Sequence, residues 1–162
     1  MCYKISGKEA VENYKDTEFF AVGKDNLVKD EYYEARTLKS QINYYLKKNS
    51  LKIDTVAKRI DAEAKQISRY SAGDRHPDRM MVIRLAFGLG LNIEDTNRLL
   101  ESAEYADLSM KRKEDTIILK YYDEILENVV KNDSGANLEY HMYIDNILEE
   151  SGCKKLFNIK ED

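Results

Sequence analysis

Apolar residues recur along most of the chain at intervals of three and four, the period of an amphipathic helix. Leu38, Ile42, Tyr45 and Leu46 form the first clear stripe, and it predicts a helix ending near Asn49 and Ser50. A short segment over residues 53–60 follows, with Val56, Ala57 and Ile60 on one side. Asp61-Ala62-Glu63 separate it from a second short segment over residues 64–72, closed by Gly73. Glycine suits a helix C-terminus because it takes positive φ at little cost. Asp78 stands where an N-cap belongs, ahead of Met81, Val82, Leu85, Ala86 and Leu89. Asn92 does the same ahead of Ile93, Thr96, Leu99, Leu100 and Ala103, with Asp95 three residues on in the manner of a capping box.

Past residue 107 the pattern stays helical. Ile117, Ile118, Tyr121, Ile125 and Leu126 fall on one stripe, Asn132-Asp133-Ser134-Gly135 reads as a loop, and Leu138, Met142, Ile144, Ile147 and Leu148 predict a last helix ending at Ser151-Gly152. Residues 1–33 are less regular. Val11, Tyr14, Phe19, Phe20 and Val22 are apolar and Gly7 and Gly23 interrupt them, which suggests a short N-terminal arm with one brief helix near residues 8–15.

Composition agrees with an all-α chain: of 162 residues, one is proline and seven are glycine, and 43% are hydrophobic. No apolar run approaches the roughly 20 residues that cross a bilayer, and the start of the chain lacks a signal-peptide core, so a soluble cytoplasmic protein is expected. Cys2 and Cys153 lie far apart in sequence, as do His76 and His141, so neither a disulfide framework nor a metal site is expected, and no cofactor. The net charge of −4 is unevenly spread. Residues 36–90 carry 12 Lys/Arg against 5 Asp/Glu, while residues 106–162 carry 8 against 13. A basic middle with acidic flanks points to phosphate contact in the middle alone.

Two short helices that cross steeply around a tight turn need a small residue in the first, where the second passes close, and an apolar anchor in the second. Ala57 and Ile67 meet those needs. The strings Val56-Ala57-Lys58-Arg59-Ile60, Ile67-Ser68-Arg69-Tyr70 and Gly73-Asp74-Arg75-His76-Pro77 resemble the Xre-type (Cro/phage-repressor-like) helix-turn-helix family. So do Val82-Ile83-Arg84-Leu85-Ala86, Gly88-Leu89-Gly90-Leu91 and Thr96-Asn97-Arg98-Leu99-Leu100-Glu101-Ser102-Ala103. The last part is similar to a bacterial subgroup in which a helical extension follows the module. The resemblance covers residues 38–105 well and the C-terminal part weakly.

The resemblance implies a five-helix repressor-like bundle over residues 34–105, a short arm over 1–33 before it and a helical C-terminal extension over 106–162 after it. It implies that residues 64–72 form the recognition helix lying in a major groove. Ala64, Lys65, Ser68 and Arg69 would then face the groove, and Gln66 would read adenine if turned toward it. Arg59, Arg75 and Arg79 would clamp phosphates and set position rather than sequence. Two departures stand out. Asp61 occupies the turn position where glycine is usual, and Asp tolerates left-handed φ better than most residues. Glu63 stands where a small polar cap is usual; its charge suits a helix start but opposes phosphate.

The expectation is therefore sequence-specific binding of double-stranded DNA by a transcriptional regulator, a repressor working as a homodimer. The acidic helices of about residues 109–152 would serve dimerisation or a protein partner. The alternative is a protein-interaction module on the same fold, such as an antitoxin or a phage-encoded inhibitor of a host protein, since a fold does not determine function. An enzyme is not expected: no nucleophile–base pair, phosphate-binding glycine loop or metal-ligand cluster is visible. Lys111-Arg112-Lys113, Glu114-Asp115 and Asp123-Glu124 read mainly as solvated charge. Tyr44-Tyr45, Tyr121-Tyr122 and Tyr140 with Tyr143 read mainly as packing, and His141 as a structural residue.

Overall fold

The structure is a computed structural model and describes residues 36–159. The expected N-terminal arm, residues 1–33, and Cys2 lie outside the described residues. Leu38–Asp162 form one compact unit, so the basic middle and the acidic C-terminal part share a body. Among the described residues the secondary structure is entirely helical, in eight helices: α1 (Leu38–Lys48), α2 (Ile53–Arg59), α3 (Ala64–Ala72), α4 (Arg79–Gly88), α5 (Ile93–Ser102), α6 (Lys113–Lys120), α7 (Tyr122–Val130) and α8 (Glu139–Glu150). None is long and apolar enough to cross a membrane.

Local signals account for most of the boundaries. Asp78 caps α4 by accepting the Met81 N–H at 2.9 Å, and Asn92 caps α5 by accepting that of Asp95 at 2.8 Å. The reciprocal half of the expected capping box is missing: the Asp95 carboxylate accepts from Arg98 instead, at 2.7 Å. α3 ends at Gly73 in the left-handed conformation. There the Asp74 N–H reaches Arg69 O and the Gly73 N–H reaches Tyr70 O, the paired bonds of a Schellman end.

One helix expected around residues 117–126 is two. The helix is interrupted at Tyr121, between α6 and α7, and the buried stripe runs through Ile118, Tyr122, Ile125 and Val129. Ile117, Tyr121 and Leu126, expected on that stripe, are only half-buried. Tyr122 draws the stripe round by one residue. Its ring packs on Phe87, with centroids 4.6 Å apart, and its hydroxyl donates to Leu91 O at 2.7 Å and lies 2.6 Å from the Thr96 hydroxyl. Burial of that phenol pushes its pKa up to about 12, the Thr96 bond opposing, so it stays protonated and able to donate.

α4 is the centre. Val82, Ile83, Leu85, Ala86 and Phe87 are all fully buried, so the helix is apolar nearly all round, as a helix surrounded by others must be. It packs on α2, α5 and α7, while α1 packs on α3 and α5, α2 on α3, and α7 on α8. The approach of α4 to α2 is set by Gly88. A methyl group there would lie 2.9 Å from Val56 Cγ1 and 3.0 Å from Ile60 Cγ2. The C-terminal tail packs back on α8. The Asp145 carboxylate on α8 accepts the N–H groups of Leu156, Phe157 and Ile159, and Phe157 stacks on His141 at 3.9 Å between ring centroids.

Two outcomes follow from this packing. Gly88→Ala forces α2 and α4 apart and is expected to lower stability by about 1–3 kcal/mol, read as a shift of the urea midpoint at constant slope. His141 has no exposed surface and neither ring nitrogen has a hydrogen-bond partner; burial, with the nearby Arg84 charge adding, lowers its pKa to about 4. In the unfolded chain it titrates near about 6.5. Its contribution is therefore fully present above about pH 6.5 and is lost as pH falls toward 4. Wild type should lose stability faster than His141→Leu across that window, and equal slopes would show that the imidazole does not titrate on unfolding.

Candidate nucleic-acid interface

α3 is nine residues long and buries one side. Ile67, Tyr70 and Ser71 face α1 and α2, and the Asn43 amide of α1 donates to Ser71 O at 2.8 Å, tying the two helices together. The opposite side carries Lys65, Ser68, Arg69 and Ala72, all exposed. Lys65 and Arg69 are four apart, so their side chains lie one above the other on that side. Neither makes an ion pair among the described residues, and their charges face solvent. Lys39 of α1 lies alongside, its aliphatic stem over Gly73.

The turn before α3 is tight. Asp61 takes φ 54°, the left-handed conformation that its short polar side chain tolerates. The Ala62 N–H bonds to Ala57 O at 2.9 Å, so the chain reverses over Ile60 and Asp61 before α3 begins. Glu63 stands at the N-cap with extended backbone, but its side chain makes no capping bond. Asp61 and Glu63 are both exposed, and two carboxylates thus border the N-terminus of α3.

The residues expected to touch DNA separate into three groups. Lys65, Ser68 and Arg69 share the outer side of α3, and Arg75 is exposed in the loop just beyond it. Ala64 and Gln66 flank that side. Ala64 is half-buried against the core, and the Gln66 amide donates to the Tyr70 hydroxyl at 2.9 Å, so it does not point outward as an adenine reader would. Arg59 and Arg79 are turned inward. Arg59 donates to Gly88 O at 3.0 Å and to Asp133 at 2.7 Å. Arg79 forms a two-pronged bond to Asp115, at 2.9 and 2.7 Å, and also donates to the carbonyls of Ala106 and Asp107. Both are braces between the basic middle and the acidic C-terminal part. Nε and Nη1 of Arg59 and all three guanidinium nitrogens of Arg79 are thus engaged within the protein, where a phosphate clamp needs its donors open.

Asp115, expected as surface charge, has no exposed surface and also accepts the Ser109 N–H at 2.9 Å. Its bond to Arg79 holds that guanidinium above the ordinary arginine range. The pattern carried a signal, because Asp115 lies three residues before Ile118 on the buried stripe. Arg84 was also passed over. It is the only charge in the apolar run from Met80 to Leu91, and such a charge must find partners inside. Its guanidinium donates to Ile60 O at 3.0 and 2.7 Å and to Asp61 O at 2.7 Å. The tyrosines divide within their pairs: Tyr45 and Tyr122 are buried, while Tyr44 and Tyr143 are exposed. Lys111, Arg112 and Lys113 are exposed, with the Lys113 ammonium donating to Ser151 O. No group of three or more His, Cys, Asp or Glu side chains among the described residues is placed to hold a metal ion.

Set against protein-family models, curated proteins and solved structures, the chain matches none of them.

The inward turn of Arg79 has a measurable consequence. Arg79→Ala leaves a buried carboxylate without its charge partner and is expected to lower stability by about 3–5 kcal/mol in urea denaturation. A surface phosphate clamp would give a change within about 0.5 kcal/mol, so a neutral result would place Arg79 in solvent.

Proposed function

We propose that α1–α5 form a helix-turn-helix module of the repressor type and that the protein binds double-stranded DNA through α3 as a transcriptional regulator. The observation that carries the reading is the outer side of α3. A short helix anchored by Ile67 and Tyr70 presents Lys65, Ser68 and Arg69 together, with two positive charges unpaired among the described residues. A helix about 10–12 Å across fits a major groove about 12 Å wide, and Lys or Arg at such positions reaches guanine edges while Ser contacts any base. Arg75 supplies a phosphate contact beside it. The resemblance in sequence over residues 38–105 supports the same assignment. The tight left-handed turn at Asp61 also supports it, because a steep crossing of α2 and α3 needs such a turn.

In this reading the protein works as a homodimer in the cytoplasm. It spans two half-sites about one helical turn apart, and the acidic helices α6–α8 contact no phosphate. A second reading has one observation in its favour. Asp61 and Glu63 are exposed at the N-terminus of α3, where they repel phosphate. A helix-turn-helix module whose partner is a protein, such as an antitoxin or an inhibitor of a host protein, would bear those charges at no cost.

Binding to a duplex from immediately upstream of its own gene, against random duplex at two salt concentrations, separates the readings. A DNA-binding regulator prefers its own duplex, and its affinity falls steeply as salt rises, because each neutralised phosphate releases counterions. Lys65→Ala with Arg69→Ala should remove the preference and flatten the salt dependence, with the unfolding midpoint nearly unchanged. A double variant that binds like wild type would sink the assignment of this side of α3. No binding by wild type would favour the protein partner.

A further inference from the structure

The carbonyl groups at the end of a short helix and in the turn after it normally find water or the next stretch of chain. After α2 they are met mainly from elsewhere, although Lys58 O also accepts the Asp61 N–H at 3.4 Å. Four consecutive carbonyls, those of Lys58, Arg59, Ile60 and Asp61, accept from side chains brought in by distant parts of the chain. The Asn132 amide donates to Lys58 O and Arg59 O, both at 3.3 Å. The Arg84 guanidinium takes Ile60 O and Asp61 O. Both side chains are almost completely buried, Asn132 with 1% of its surface exposed and Arg84 with 8%.

Asn132 is itself held. Its Oδ1 accepts the Asn137 N–H at 2.9 Å and its carbonyl accepts the Gly135 N–H at 3.0 Å, so the loop between α7 and α8 is folded around it. Gly135, at φ 75°, brings that loop against the backbone of Lys58, where an added methyl would lie 3.3 Å from the carbonyl oxygen. Asp133 of the same loop holds Arg59. On the other side of the turn, Asn158 of the C-terminal tail stands in a cleft of about 460 Å³ that Asp61, Gln66 and Arg84 also line.

We infer that the C-terminal extension helps to set the pose of α3: its α7–α8 loop holds the end of α2 through Asn132, next to the turn that Arg84 of α4 holds, and these two are the positioning residues. This deepens the DNA-binding reading by naming what controls the proposed reading helix. A protein or ligand that pulled the α7–α8 loop off α2 would take the Asn132 bonds from Lys58 O and Arg59 O and loosen the angle at which α3 is presented. Neither residue touches DNA in this scheme.

The test has one arm that does not depend on DNA. Asn132→Asp keeps the shape and the acceptor for Asn137 but replaces the donor with a second acceptor. In the full-length protein, amide hydrogen exchange at Ala62, Gln66 and Ile67 should speed up at least tenfold, while Leu99 and Leu100 in α5 exchange as in wild type. No change at the turn, or the same factor at both places, would overturn the inference, the second outcome because it marks loss of global stability only. Arg84→Met should act on the same amides, and if it fails to fold Asn132→Asp decides alone. In the DNA arm, Asn132→Asp should lose at least tenfold in preference for the cognate duplex with the slope of affinity against salt unchanged. Wild type that binds no DNA ends the DNA reading and leaves the exchange arm to decide the inference. Wild type that binds, with an Asn132→Asp variant that has a loosened turn and equal preference, overturns the link between turn and binding.

Discussion

A guanidinium placed among Met81, Val82, Ile83, Leu85, Ala86 and Phe87 must have its charge and its donors met from inside the protein, or it would cost several kcal/mol. Arg84 meets the need with two main-chain carbonyls rather than a carboxylate. Burial lowers its pKa, and the carboxylates of Asp61, Asp145 and Asp78 around it act the other way. The consequence is geometric. The carbonyls belong to Ile60 and Asp61, so the residue that must be satisfied in α4 also dictates where the turn ahead of α3 lies. α4 touches α2, α5 and α7, so the turn is tied through α4 to both the basic middle and the C-terminal helices.

The pairs that join the basic middle to the acidic C-terminal part have the same character. Arg79 with Asp115 and Arg59 with Asp133 each link a cation from residues 36–90 to an anion from residues 106–162. The uneven charge along the chain thus has two uses. Part of the excess of base is consumed holding the C-terminal helices in place. What remains outside includes Lys65, Arg69 and Arg75 on and beside α3, with Lys39, Lys47, Lys48, Lys52 and Lys58 exposed elsewhere. Counting charge along a sequence overstates the field such a surface presents, because it counts the braces with the free charges.

The helices were legible in the sequence because they rest on local signals: the three-and-four spacing of Leu38, Ile42 and Tyr45, the caps at Asp78 and Asn92, the glycine at 73. The left-handed turn at Asp61 was legible for the same reason. The interruption at Tyr121 was not. It follows from the tertiary packing of Tyr122 on Phe87 and Thr96, and nothing in the residues near Tyr121 announces it. Side-chain commitments were the hardest to see. Arg59, Arg79 and Arg75 look alike in a sequence, yet two are braces and one is exposed, and only the positions of Asp133 and Asp115 tell them apart. The outer side of α3 was legible as Lys65, Ser68 and Arg69 because helical spacing decides it. The direction of Gln66, left open by the spacing, is set by the hydroxyl of Tyr70 one turn on, which accepts its amide.

Short helices of seven and nine residues have little stability of their own, since nucleation is costly and few bonds repay it. α2 and α3 therefore depend on tertiary contacts for both their existence and their angle. Ile67 and Tyr70 anchor α3 to the core, but an anchor in the middle of a helix leaves it free to pivot. The turn at one end and the Asn43 bond to Ser71 O at the other remove that freedom. A surface that reads a rigid partner needs such a restraint, because a side chain displaced by an ångström loses its hydrogen bonds. The end of α2, where the turn begins, is held partly by Asn132, which lies beyond residues 38–105. The helical extension is thus part of what makes α3 a defined surface, whichever partner that surface meets.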